Sequence, residues 1–145
     1  MNYKELLKTQ TSCPFCEPTF NRKICEENNA YLTYSIAPYH KHHLLVVTKR
    51  HIENFEELKN NEIESINKIL HIGVRALKSL GYKDYSILLR NGSGSDKSVE
   101  HLHYHIIPIS IIGDLDHEGE ERQVMTEGEI NEFLNEFKNL ISPAR

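Results

Sequence analysis

Three histidines set two residues apart constrain this chain more than any other stretch: Glu100-His101-Leu102-His103-Tyr104-His105-Ile106-Ile107-Pro108. Side chains of a strand alternate between its faces, so the spacing predicts three imidazoles along one face. Leu102, Tyr104 and Ile106 then bury on the other. In a helix each step of two turns by about 200° and would scatter the rings around the axis. The plainer alternative is a half-buried strand whose polar face merely happens to carry histidines. It is disfavoured because every neutral imidazole on a crowded face needs a hydrogen-bond partner.

With 145 residues the chain has room for one domain with a real core, expected over 1–145. Apolar content of 39% and charged content of 26% describe a water-soluble globular chain. No apolar run approaches the ~20 residues that span a bilayer. Met1-Asn2-Tyr3-Lys4-Glu5 does not read as a signal peptide, so a cytoplasmic location is expected. A net charge of −4 argues against binding nucleic acid through a broad basic face, and leaves room for a small anionic ligand. The compositional anomaly is nine histidines. Seven fall in two clusters: His40, His42, His43 and His51, then His101, His103 and His105.

Three cysteines do not suggest a disulfide framework. Cys13-Pro14-Phe15-Cys16 is a tight knuckle that brings two sulfurs together. It reads as a zinc half-site, a redox dithiol or two ordinary cysteines. The redox reading is disfavoured, because such motifs open a helix and Pro18 with Asn21-Arg22-Lys23 offers none. A zinc site would need two further ligands.

Around these motifs the pattern predicts a short helix at 3–7 and strands over 31–36, 43–48 and 85–90, with Pro38 breaking the loop between the first two. A turn or short helix is expected at 52–58. Asn61 reads as the N-cap of a long helix with Glu64 at N3, and Gly81 stops it. Ile63, Ile66, Leu70, Val74 and Leu77 supply its apolar face, while His71 reads as a surface residue. Asn91 to Ser98 is a glycine-bearing polar loop able to aim successive N–H groups at an anion. Beyond Pro108, residues 109–112 could extend the strand and 116–121 form an acidic loop with His117. Thr126 and Glu129 form a capping box for a last helix at about 127–141, with the stripe Ile130, Phe133, Leu134, Phe137, Leu140 and Ile141. One α+β domain is the economical solution.

His101-Leu102-His103-Tyr104-His105-Ile106-Ile107 resembles the signature of the histidine-triad (HIT) superfamily of nucleotide hydrolases and transferases. A second stretch agrees: Pro38-Tyr39, His43-Leu44-Leu45-Val46-Val47 and Lys49-Arg50-His51 are similar to a segment of that family. The knuckle upstream and the long helix between the two stretches also match, so the resemblance covers roughly 13–114. It implies an antiparallel sheet of about five strands with one long helix, to which the C-terminal helix read above is added, and pairing into a homodimer. It also implies attack on an α-phosphate through a nucleotidyl-histidine intermediate. On that mapping His103 is the nucleophile, and His105 and His43 flank the phosphate. Ser98 and the backbone near Val99 cradle it, Asn91 lies near ribose or phosphate, and Ser35 and Ile36 occupy nucleotide-contacting positions. In zinc-bearing relatives two cysteines join two histidines, here Cys13, Cys16, His51 and His101. Such a closed Cys₂His₂ set would be structural.

Several positions depart from the family pattern. Thr48 replaces a usual proline, and His42 replaces a glycine and would add bulk beside the site. Ser35 replaces an acidic residue or asparagine at the ribose, while Lys97 and Glu100 are also unusual. The resemblance therefore implies a hydrolase of dinucleoside polyphosphates or nucleoside phosphoramidates, leaning toward the branch that handles diadenosine polyphosphates. The alternatives are a nucleotide-binding protein with little turnover, and a nucleotidyl transferase or phosphorylase. The expected partners are a small nucleotide and a second copy of the chain, with neither nucleic acid nor membrane.

Overall fold

A computed structural model describes residues 2, 5, 6, 8, 12–16, 23–92, 99–108 and 123–141. Five antiparallel strands form one sheet: β1 (Cys25–Glu26), β2 (Ala30–Tyr34), β3 (Leu44–Thr48), β4 (Tyr85–Leu89) and β5 (His103–Pro108). Their spatial order is β1-β2-β3-β5-β4, which places the histidine strand between β3 and β4. Two helices accompany the sheet, α1 (Asn60–Ser79) and α2 (Glu127–Ile141), with a 3₁₀ turn at Phe55–Glu57. This is the expected α+β architecture.

The alternation written into the strands separates two faces. Leu32, Tyr34, Leu44, Val46 and Ile106 join Ile66, Ile69 and Leu77 of α1 and Phe133 and Phe137 of α2 in the main core. Tyr31, Leu45 and Val47 gather on the opposite side, where Phe15 packs on them. The register pairs Leu45 with His105 and Val47 with His103, so both imidazoles share that second side.

α1 crosses the sheet closely at Gly73. A Cβ there would lie 2.7 Å from Cδ1 of Ile106 and 3.4 Å from Cδ1 of Leu32. The helix starts one residue before the expected Asn61 N-cap, and the carboxylate of Glu62, not Glu64, accepts the Lys59 N–H at 2.9 Å. Its buried face is rotated from the expected stripe. Glu62, Ser65, Ile66, Ile69, Gly73, Ala76 and Leu77 point inward, whereas Ile63 is 48% exposed. The inward carboxylate of Glu62 is tolerated because both its oxygens accept from the Arg50 guanidinium at 2.8 Å.

Gly81 adopts φ +100° just past α1. Its N–H reaches the Lys78 carbonyl at 3.0 Å and the Tyr82 N–H reaches that of Leu77 at 3.1 Å. These two bonds make a Schellman ending. α2 opens with the expected capping box: Glu129 Oε1 accepts the Thr126 N–H at 2.9 Å, and Thr126 Oγ1 accepts the Glu129 N–H at 3.2 Å. Its stripe buries as expected, with Leu140 only partly covered.

Strand ends differ from expectation by a residue or two. Ser35 and Ile36 fall in the turn after β2, and the histidine strand begins at His103, leaving His101 and Leu102 ahead of it. The β3–β5 ladder stops at Val47–His103. Beyond it the Thr48 carbonyl takes a ring nitrogen of His101 instead of a ladder N–H. Of the expected N-terminal helix, Glu5 and Leu6 are helical, with the Asn2 side chain accepting the Glu5 N–H at 2.9 Å. The expected strand extension at 109–112 and the acidic loop at 116–121 lie outside the described residues.

Candidate active site and metal centre

Three backbone groups, the His101 and Thr48 carbonyls and the Tyr39 N–H, fix which ring nitrogens of the site histidines carry protons, because a carbonyl only accepts and an N–H only donates. His103 is buried, and its Nδ1 lies 2.7 Å from the His101 carbonyl, so Nδ1–H donates. The lone pair is therefore on Nε2. The Tyr39 N–H donates to His43 Nδ1 at 3.1 Å, which places the His43 proton on Nε2. That proton goes to His105 Nδ1 at 2.9 Å, leaving His105 with an N–H on Nε2. The rings of His103 and His105 stand 4.9 Å apart, and those of His43 and His105 5.1 Å. The structure thus brings His103, His105 and His43 together, with a lone-pair nitrogen on His103 beside two rings whose N–H groups point one way.

The predicted metal residues also come together. One ligand atom from each of Cys13, Cys16, His51 and His101 lies within 4.8 Å of all the others. Nδ1 of His101 approaches Sγ of Cys13 at 3.4 Å and Sγ of Cys16 at 3.3 Å, and Nδ1 of His51 approaches Cys16 at 3.1 Å. A tetrahedron with bonds of about 2.0 and 2.3 Å has N–S edges of roughly 3.5 Å, so this donor set fits zinc. The remaining ring nitrogens are held from behind. His101 Nε2–H donates to the Thr48 carbonyl at 2.7 Å, and His51 Nε2 faces Glu53 at 3.4 Å. Burial lowers the His101 pKa to about 4, aided by nearby His51 and His103 and opposed by the Thr48 bond. The ring is neutral at pH 7 with its Nδ1 lone pair toward the sulfurs. Thr48, a departure from the family pattern, serves here through its backbone oxygen, and its hydroxyl donates to the Arg50 carbonyl at 2.9 Å.

Knuckle and triad touch through Phe15. Its ring meets His101 edge-on at 5.7 Å and His103 at 5.2 Å, and its carbonyl accepts the Tyr31 hydroxyl at 3.0 Å. Phe15 lies inside the C-x-x-C motif, where no residue pattern marks its contact with the triad. Tyr39 is equally unmarked, because its contribution is a backbone N–H.

The predicted nucleotide-contacting residues are placed less uniformly. Ser35 is buried, and its N–H approaches the His43 carbonyl at 3.4 Å. The Ile36 carbonyl accepts the Met125 N–H at 2.8 Å. Asn91 uses its amide oxygen on the Phe55 N–H at 2.7 Å and its NH₂ on Asn54 at 3.2 Å. It brackets the 3₁₀ turn. Val99 is half-buried, while Ser98 and Lys97 lie outside the described residues. His42 corrects an expectation outright. It adds no bulk beside the triad, because the turn ahead of β3 directs it to the helix side, against Tyr82, Phe133 and Phe137.

Comparison with known proteins agrees with this geometry. The HIT domain family model matches residues 19–110. An uncharacterized HIT-like protein of Methanocaldococcus jannaschii is 36% identical over 66% of this chain and 78% of its own. The adenosine 5'-monophosphoramidase of Schizosaccharomyces pombe is 34% identical over 67% of this chain and 74% of its own. Among solved structures, the Plasmodium falciparum diadenosine triphosphate hydrolase in complex with cyclomarin A superposes with a TM-score of 0.72 at 22% identity. That match covers 84% of this chain and 77% of the other. A zinc-bound histidine triad family protein of Mycobacterium smegmatis gives 0.63 at 17% identity, covering 97% and 94%. On the domain match and the assembled triad together, this chain belongs to the HIT family.

Proposed function

We propose that the chain is a nucleotide hydrolase that attacks the α-phosphate of nucleoside phosphoramidates or dinucleoside polyphosphates. The observation that carries this reading is the His103 tautomer: the His101 carbonyl holds the Nδ1 proton and leaves the lone pair on Nε2. That nitrogen forms a bond to phosphorus while the bond to the leaving amine or nucleotide breaks. Water then displaces His103 from the phosphoramidate, releasing the mononucleotide. His105, whose Nε2 carries a proton, donates to a phosphoryl oxygen or to the departing group, and His43 keeps it in that form. The 34% identity to an adenosine 5'-monophosphoramidase supports the phosphoramidate arm.

Cys13, Cys16, His51 and His101 would hold a structural zinc. The ion would supply a crosslink between the knuckle and the strand that presents His103, with no part in bond breaking. Thiols set as metal ligands favour a reducing compartment, so we assign the protein to the cytoplasm. Edge strand β4 exposes Tyr85 and Ile87, which supports association with a second copy. No described helix is long and apolar enough to cross a membrane.

The engagement of Asn91 by the 54–55 turn, with Ser35 at the ribose position, favours a second reading: a nucleotide-binding protein with little turnover. The deciding experiment offers adenosine phosphoramidate and a series of diadenosine polyphosphates, with and without inorganic phosphate, and identifies products. Mononucleotide release confirms the hydrolase. AMP binding without any product selects the binding protein, and phosphate-accelerated release selects a phosphorylase.

A further inference from the structure

A second polar chain backs the triad from the helix side of β3. His42 is 5% exposed and faces the helices, whereas its neighbour His43 faces His105. The His42 Nε2 lies 2.8 Å from Oε1 of Glu136 and its Nδ1 lies 2.6 Å from the Tyr82 hydroxyl. A carboxylate only accepts, so Nε2–H donates to Glu136, and in the neutral ring Nδ1 accepts the tyrosine proton. Each partner is delivered by a separate element. Tyr82 follows the positive-φ Gly81 in the Schellman ending of α1, and Glu136 projects from α2. The residues leading into α2 hold the same loop a second time, through the Met125 N–H on the Ile36 carbonyl.

His42 is also part of the turn that sets the His43 proton. Its backbone N–H donates to His40 Nδ1 at 3.0 Å, the His43 N–H donates to the His40 carbonyl at 3.0 Å, and the Tyr39 N–H reaches His43 Nδ1 at 3.1 Å. The His40 ring packs edge-on against Tyr82 at 5.3 Å. We propose that Tyr82, His42 and Glu136 form a positioning relay that clamps the 39–43 turn between the two helices. The clamp keeps the Tyr39 N–H on His43 and thereby preserves the tautomer that feeds His105. Its kinetic consequence rests on the hydrolase reading above, but the tautomer itself does not.

The test compares the full-length chain with Glu136→Ala, Glu136→Gln and Tyr82→Phe by imidazole nitrogen NMR and by steady-state kinetics. The Glu136 side chain is 39% exposed, so its truncation leaves the core filled. In the wild type, His43 is expected to show a protonated Nε2 and a bare Nδ1. Glu136→Ala should give a mixture of tautomers at His43 and a fall in kcat of about tenfold with KM within about twofold. Tyr82→Phe should move the same way by less. Glu136→Gln keeps an acceptor oxygen for His42 and should retain the wild-type pattern and most of kcat. A folded Glu136→Ala with an unchanged His43 spectrum overturns the proposal, as does a glutamine variant that behaves like alanine. Should Glu136→Ala fail to fold, Tyr82→Phe decides by the same spectrum. If the wild type turns over no nucleotide, the hydrolase reading fails while the tautomer comparison still decides the relay.

Discussion

His43 and His105 share one 2.9 Å hydrogen bond whose direction is set from outside the pair, by the Tyr39 N–H on the far nitrogen of His43. A buried ring, fully shielded from solvent, thus hands its only proton to a half-buried one. Replacing His43 by Ala removes that donor and leaves Nδ1 of His105 able to take the proton itself. Turnover is then expected to fall by roughly 10²-fold with little change in KM. A matching rise in KM would show that His43 acts in ground-state binding instead.

His103→Ala deletes the nitrogen that attacks phosphorus. Turnover should fall by at least about a thousandfold, while calorimetry still detects mononucleotide binding. Rapid quenching of the wild type in alkaline denaturant should trap nucleotide on protein, and the variant should trap none. An active variant sinks the covalent mechanism.

Protein purified without added metal should contain about one zinc per chain, and less than ~0.2 would count against the site. Cys13→Ser should lose most of the metal and lower Tm. The loss should extend to turnover, because Phe15 rides on the same knuckle and touches His103.

Glu62 provides a pH test with a defined sign. The Arg50 hydrogen bonds hold its carboxyl below the ordinary carboxylate value, helped by the Lys59 N–H and opposed by burial. A depressed pKa adds stability above the unfolded value, and that stability disappears as pH falls through the folded one. Glu62→Gln should therefore lower Tm by a few degrees at pH 7, with the gap to wild type closing below about pH 4. Arg50 is 41% exposed, so added salt should shrink the effect at pH 7. A gap that stays constant between pH 7 and pH 3 would refute this account.

Gly73→Val puts branched bulk where a single Cβ already meets Ile106 at 2.7 Å. Destabilisation of about 2–3 kcal/mol is expected from overpacking, read by denaturant melts. Gly73→Ala should cost much less, since helix propensity returns about 1 kcal/mol and the clashing atom is the end of a side chain. Equal costs for the two variants would show that the close crossing does not limit packing.

The histidine strand, the knuckle and both helices were legible because each writes its own period or cap. The spacing of His101, His103 and His105 is a local fact that survives any arrangement of the rest. For the same reason, local spacing alone gives α1 the wrong rotation. Ile63 looks like a core residue until Arg50, twelve positions before Glu62, pairs with that carboxylate and lets it turn inward. Gly73 offered no sign of its role either, since a close crossing is a property of two elements.

The sequence by itself determined which residues could do chemistry: three alternate imidazoles in one stretch, two sulfurs in one knuckle, and one more histidine just ahead of a second strand. Only the tertiary structure decided what each would do. The division of labour rests on proton positions, and these are set by carbonyls and N–H groups of Thr48, His101 and Tyr39, which every residue type possesses. His42 shows the difference most plainly. Its identity suggested bulk at the site, but the turn ahead of β3 sends it to the other side, where helix partners from distant sequence make it part of the frame.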